Sequence, residues 1–351
     1  MSACAERREE PPAELRLEQP DALAALTPSE GFWCTQFRVR RGDEWVRILA
    51  EPPTWEALQT RPTFYGNPLL FPYPLSIADG TFTYRGKRYT VRSGKEGRTI
   101  HGLVRDNAWT DAHTWRDADG AHARATIATG GESADLLAFF PFPFRFTVTY
   151  TLAGTALTSH YEATNIGEEP MPLGLGIHPY FPVPLVPGGE PSDALVRSDV
   201  ERMLRGGLQG GQDEWQEPQG VLDLRAGQRV DALMATVGQA PSGTGRGSLL
   251  LVYTQRPDLD TDAGRTADTD DSGGLTWSLI DTVHDLTVDV ESSDDFGALV
   301  VYAPPTQHVI SPVVSTCLSD AFNRAARGQR SGMIELEPGE TWRGWTRIVV
   351  S

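Results

Sequence analysis

Short runs in which apolar and polar residues alternate recur along most of this chain. FWCTQFRVR (32–40), EWVRILA (44–50), TFTYRG (81–86), FRFTVTYTLA (144–153), ALTSHYEATN (156–165), LTVDVES (286–292) and TWRGWTRIVV (341–350) are examples. A period of two puts one face of each run inside and the other in water, which is the mark of a half-buried strand. β-branched and aromatic residues fill the runs, and the 35 Gly and 26 Pro supply turns between them. Helical spacing is confined to Val230–Ala235 and Asp320–Arg327. So many strands cannot lie in one flat sheet, so the expected class is all-β, a large antiparallel two-sheet β-sandwich. No internal repeat argues for a propeller. No linker divides residues 31–351, which are read as one domain, and the Glu-, Pro- and Ala-rich residues 1–30 are read as a mobile N-terminal extension.

Charge removes several classes of partner. With 31 basic and 47 acidic residues the formal net charge is −16, which repels phosphate backbones and anionic membranes unless basic residues cluster. The densest basic stretch, Arg38 to Arg47, is interrupted by acids. Nucleic acid and membrane are therefore not expected. Cys4, Cys34 and Cys317 lie far apart with no CxxC pair, which offers neither a disulfide framework nor a cysteine zinc site and fits a reducing cytoplasm. The N-terminal residues lack the apolar core of a leader, and no run is long and apolar enough to span a membrane.

Motif by motif, the familiar catalytic signatures fall away. In the Asp-rich stretch 257–274, Asp258, Asp260 and Asp262 imitate a calcium loop, but Ala263 and Thr269 stand where Gly and Glu are required. It reads as a solvated acidic loop, and no metal site is expected. GLGIHP (174–179) and GTGRGS (243–248) resemble phosphate-binding loops, yet neither opens a long helix. There is no GxSxG, HExxH or Walker lysine.

Histidine is the side chain most easily tuned to move protons near neutral pH. Two of the seven sit in unusual settings: His101 opens HGLVRDNAW after a polar turn, and His178 lies in LGLGIHPYFP among Gly, Pro and aromatic residues. His113, His122, His160, His284 and His308 are read as structural or exposed.

GNPLLFPYPLSIADGTFTYRGKRYTV (66–91), HGLVRDNAW (101–109), residues 141–181 ending in GIHPYF, RVDALM (229–234) and the segment 319–342 succeed one another in this order. The succession resembles the aldose 1-epimerases, the galactose mutarotase-like proteins, from about residue 40 to 350. That resemblance implies a sandwich whose open face holds a hexose, an isomerase of carbohydrate metabolism that interconverts α and β anomers without a cofactor, and a small-molecule sugar as partner. The oligomeric state, monomer or homodimer, stays open. A base takes the proton of the anomeric hydroxyl, an acid protonates the ring oxygen, and the ring opens and recloses. By the same resemblance His178 corresponds to the acid at the ring oxygen, and His101 to the histidine that binds and orients the substrate. Asp231 corresponds to an acceptor of sugar hydroxyls; read from its own surroundings it is equally a helix-starting or turn residue. Tyr180, Phe181 and Trp109 would offer apolar faces to sugar C–H groups.

Two positions depart from the family pattern. Ser311 precedes Pro312 where the family carries its catalytic Glu, and Leu75-Ser76 replaces an Asn-Arg pair, removing a bidentate guanidinium. Ser76 and Ser311 are kept as substrate-binding positions, but a neutral hydroxyl is no general base. His308 and Asp320 are the nearby substitutes. Strand alternation places 308 and 311 on opposite faces, and Asp320 is expected to shape a turn. Three readings remain: an aldose 1-epimerase-like enzyme, a non-catalytic carbohydrate-binding protein on the same scaffold, and an epimerase of a phosphorylated sugar. The net charge and Ser76 count against the third.

Overall fold

A computed structural model describes residues 13–60, 64–91, 99–130, 135–205, 214–236, 249–254, 273–304, 308–329 and 331–351. Most of the Asp-rich stretch 257–274 lies outside these residues, as do Cys4 and the loop GTGRGS.

The alternating runs pair into two large antiparallel sheets. The nine-stranded sheet runs Gln228–Arg229, Ala194–Ser198, Gly273–Asp281, Leu286–Ser293, Thr341–Val350, Ala156–Asn165, Phe144–Ala153, Ala121–Ala128, Thr110–Arg116. The eight-stranded sheet runs Glu214–Gln216, Arg202–Arg205, Leu249–Thr254, Ala298–Ala303, Val309–Ser315, Gly176–Ile177, Leu69–Leu70, and Phe181–Pro182 also pairs with Val309–Ser315. Their facing sides share one core. Val148, Tyr150, Tyr161, Val290 and Ile348 of the first sheet meet Tyr253, Leu299, Val301, Ile310 and Val314 of the second. Stacked rings tie the layers together, Phe181 on Trp277 at 5.6 Å and Phe71 on Phe146 at 4.3 Å between centroids. This is the two-sheet sandwich the alternation required, in which every second residue of a strand is committed to the core.

The other face of the eight-stranded sheet is set by register. Tyr302 lies opposite Ser311, Val300 opposite Val313 and Ala298 opposite Ser315. Val300, Val313 and Ala298 join Leu70, Leu75, Leu204, Val252 and Leu318 in a second apolar cluster, separate from the main core. Tyr302 and Ser311 share this outer side with them, because side chains two apart on a strand point the same way.

The expected loose extension is corrected over part of its length. Leu15–Gln19 and Ala22–Leu26 form a hairpin continued by Cys34–Arg41 and Glu44–Arg47 in a four-stranded sheet, and Leu17, Ala22, Ala24 and Leu26 are buried in the main core. Average composition concealed the Leu-Arg-Leu-Glu alternation and the Pro20-Asp21 turn, while small alanines permit close packing against neighbouring strands. Helices stay short. Val230–Met234 and Ala321–Ala326 fall where the spacing placed them, and Trp55–Thr60 and Leu136–Phe139 were not anticipated.

Candidate functional site

The loop carrying His101 owes its shape to close backbone approach. Gly102 passes directly over Phe71: a Cβ there would lie 2.1 Å from the Phe71 carbonyl oxygen, at a φ of +72°. Only glycine fits such a crossing. His101 itself has a φ of +67°, sparsely populated for a residue with a Cβ, and is held by its N–H donating to the Leu75 carbonyl at 2.7 Å. A strained residue so firmly held marks a place where side-chain direction matters more than local comfort.

His178 is placed by the short strand Gly176–Ile177, sandwiched between Val309–Ser315 and Leu69–Leu70. Ile177 turns into the main core, so His178 turns to the outer side of the sheet. Gly176 is required because a Cβ would come within 2.9 Å of Pro74 and 3.1 Å of the Ser315 Cβ. The His178 N–H donates to Asn67 Oδ1 at 3.2 Å.

Around the His178 ring the contacts are short and specific. Its Nδ1 lies 2.6 Å from Ser311 Oγ, and its Nε2 lies 3.0 Å from the Tyr180 hydroxyl. The Ser311 hydroxyl donates to the Pro179 carbonyl at 2.6 Å. The Tyr180 ring stacks on the imidazole at 4.4 Å, Tyr302 meets it edge-on at 5.9 Å, and the His101 ring stands edge-to-face at 5.2 Å. Residues far apart in sequence thus converge on one imidazole pair.

Electrostatics keep both rings neutral at pH 7. Burial pushes the His178 pKa down to about 3, and the nearby Arg105 guanidinium depresses it further in the same direction. His101 is lowered by burial, then by His178 and Arg105. Removing water penalises the charged form, and an adjacent cation does the same. Each neutral ring carries one N–H and one bare nitrogen, and so can donate at one and accept at the other. His101 Nδ1, shielded from solvent, has no hydrogen-bond partner among the described residues.

The remaining expected site residues divide. Ser311 is brought directly onto His178, although it is fully buried. Ser76 sits behind the His101 loop: it bridges to Ile100, its hydroxyl lies 2.8 Å from that of Ser319, and its carbonyl accepts from the Asp320 N–H at 2.8 Å. Tyr180 supports His178 rather than presenting an open face.

Trp109 is corrected to a core residue. Its ring packs against Phe32 and Phe146, each at 5.5 Å, and its Nε1 donates to the Val104 carbonyl at 3.2 Å. Asp231 is corrected as well. It is exposed on the helix Val230–Met234, both its oxygens take the Arg229 guanidinium at 3.0 and 2.8 Å, and it also accepts the Ala232 N–H. Its reading as a helix-starting carboxylate is the one realised, because Arg229 two residues earlier satisfies it bidentately. Of the proposed replacement bases, His308 is exposed at the entrance to Val309–Ser315. Asp320 caps a turn, accepting from the Ala78 N–H at 3.1 Å and the Asn323 side chain at 2.7 Å.

Three neighbours were not singled out from the sequence. Arg105, only 2% exposed, carries a charge felt by both histidines; its signal was a cation four residues after His101, directly after the apolar pair Leu103-Val104. Asn67 anchors the His178 backbone and is marked only by preceding a proline. Tyr302 reaches His178 through strand register, which has no signal in its own segment. Among the described residues no group of three His, Cys, Asp or Glu side chains is placed to hold a metal ion, and no helix is long and apolar enough to cross a membrane.

Comparison with known proteins agrees with the fold. Among solved structures, a galactose mutarotase-like protein from Clostridium acetobutylicum superposes with a TM-score of 0.75 at 23% identity, covering 96% of this chain and 94% of that one. A galactose 1-epimerase from Lactobacillus acidophilus superposes with a TM-score of 0.69 at 15% identity, over 99% and 96%. At these identities the likeness is one of fold. In sequence, YihR of Escherichia coli K12 is 34% identical over 122 residues, 32% of this chain and 35% of YihR. The plasmid LacX protein of Lactococcus lactis is 29% identical over 136 residues, 38% and 42%. The alignments therefore span less than half of these relatives. The model of the aldose 1-epimerase family matches residues 14–192, just over half of the 351 residues and including both His101 and His178; the chain belongs to the aldose 1-epimerase family.

Proposed function

We propose that the outer face at His101 and His178 binds an aldose, an aldohexose or a derivative of one, and interconverts its α and β anomers by ring opening. In that reaction the anomeric O–H bond and the C1–O5 bond break, C1 becomes the aldehyde carbon, and O5 takes a proton. Rotation of the aldehyde and closure reverse the steps. The reading is carried by one observation: His101 Nδ1 is buried without a hydrogen-bond partner among the described residues, beside a second neutral imidazole. A buried polar atom left unpaired costs about 1–3 kcal/mol, a cost that a sugar hydroxyl would remove. Two adjacent imidazoles also suit a reaction that moves one proton off O1 and one onto O5.

A second reading, a carbohydrate-binding protein without turnover, is favoured by Ser311. Where the family pattern has a carboxylate, the described hydrogen-bond contacts of the His178 residue are a serine, a tyrosine and the Asn67 amide oxygen, none of them a carboxylate. One experiment separates the two. Freshly dissolved α-glucose or α-galactose is followed by polarimetry or proton NMR, with calorimetry of the same sugars. Acceleration lost in His101→Asn and His178→Asn supports the enzyme. Binding without acceleration supports the second reading. Neither binding nor acceleration for these sugars counts against both.

A further inference from the structure

The hydrogens around His178 can be counted. Ser311 has one hydroxyl hydrogen, and the 2.6 Å contact with the Pro179 carbonyl uses it, since two oxygens that close without a hydrogen between them repel. The 2.6 Å contact between Ser311 Oγ and His178 Nδ1 must then be Nδ1–H donating to oxygen. A neutral imidazole carries only one N–H, so Nε2 is the bare nitrogen; the Tyr180 hydroxyl, 3.0 Å from it on a ring stacked at 15° to the imidazole, lies over the ring face and leaves the in-plane lone pair of Nε2 to another donor. The donors run in one direction, His178 to Ser311 to the Pro179 carbonyl, an order in which each bond polarises the next.

From this chain we infer that Ser311 is a positioning residue: it holds His178 as the Nδ1–H tautomer, which leaves Nε2 as an acceptor for a donor hydroxyl of the aldose. The assignment rests on the aldose reading given above and deepens it. It places His178 at the proton-accepting pole of the site, opposite to the acid role implied by the resemblance. The serine in the Glu position gains a purpose that a mere loss would not have. A carboxylate on Nδ1 would draw the ring toward imidazolium, whereas a hydroxyl whose own hydrogen is committed elsewhere accepts Nδ1–H and leaves the ring neutral.

Histidine-selective 15N NMR of the free protein at neutral pH, with the His178 signals identified by their loss in His178→Asn, is the test. The expected spectrum shows His178 protonated at Nδ1 alone. Ser311→Thr should preserve that pattern, and Ser311→Ala should mix the two tautomers. A wild-type His178 protonated at Nε2, or at both nitrogens, overturns the assignment. Calorimetry with glucose and galactose tests the ligand half. Ser311→Ala frees the ring to carry its hydrogen on Nε2, so the Kd should rise several-fold while Ser311→Thr stays near wild type; an unchanged Kd in Ser311→Ala overturns the acceptor role. If neither sugar binds the wild type while Nδ1 carries the proton, the aldose reading fails and takes the ligand half with it, and the tautomer stands.

Discussion

Ile310 and Ser311 are adjacent on one strand and live under different rules. Ile310 faces the core shared by the two sheets, while Ser311 faces outward onto His178. The inner position must stay large and apolar to keep the sandwich. The outer one makes its contacts with His178 and the Pro179 carbonyl, so its chemistry can change without disturbing that core. In this strand the fold is carried by one set of alternate residues and the chemistry by the other, so a likeness of fold says little about the reaction.

The largest expected effect comes from treating a supposed site residue as core. Trp109→Ala should destabilise the protein by about 3–5 kcal/mol, the usual cost of an aromatic-to-alanine cavity. Urea denaturation measures it. A stable Trp109→Ala protein with lost sugar binding would restore Trp109 as a sugar platform and break the comparison. On the strand itself, Ile310→Ala should cost about 2–5 kcal/mol. Ser311→Ala should cost about 1–3 kcal/mol, because it strands the Pro179 carbonyl and His178 Nδ1–H. If the Ser311 variant proves the more damaging of the two, inner and outer positions are not separable in this way.

What was legible in the sequence follows the same division. Alternation revealed the strands from Cys34 to Val350 because each pays a fixed debt to the core, visible within its own residues. The Gly and Pro surroundings of His101 and His178 revealed them because the backbone crossing at Gly102 and the close side-chain packing of Pro74 and Ser315 on Gly176 demand those residue types. Tyr302 was illegible because its place beside His178 depends on the pairing of two strands. Arg105 stood in a quoted segment, but its burial depends on how that loop folds over Phe71. Asp231 was over-read: a carboxylate in a matching segment carries no mark of whether its own neighbour, Arg229, has already claimed it.

Acid gives an effect of intermediate size. An unfolded histidine has a pKa near 6.5, whereas His178 in the fold is pushed down to about 3 and His101 is lowered too. Between those values the unfolded chain binds more protons than the folded one, so stability is fully present above about pH 6.5 and falls as pH drops toward about 3. Denaturant midpoints across this window should decline in the wild type. The decline should be shallower in Ser311→Glu, whose carboxylate would favour a charged His178 against the opposing effects of burial and Arg105. An equally steep decline in a folded Ser311→Glu protein would mean that position 311 does not control the charge of the ring.

The smallest effect is expected at Asp231, and its smallness is informative. Its carboxyl is held below the usual range by Arg229, in an exposed pair of the kind that contributes little to stability because water already solvates both partners. Asp231→Ala should therefore leave the denaturation midpoint nearly unchanged. More to the point, it should leave the glucose and galactose Kd unchanged, because nothing among its described contacts leads to His101 or His178. A several-fold rise in Kd for Asp231→Ala alone would show that the helix Val230–Met234 comes over the site when sugar is bound, and that Arg229 releases the carboxylate to a sugar hydroxyl. The same rise in Arg229→Ala would instead point to a change in the helix itself, since removing the arginine leaves the carboxylate available. The pair of variants thus decides whether recognition is confined to the outer face around His178 or extends to this exposed helix.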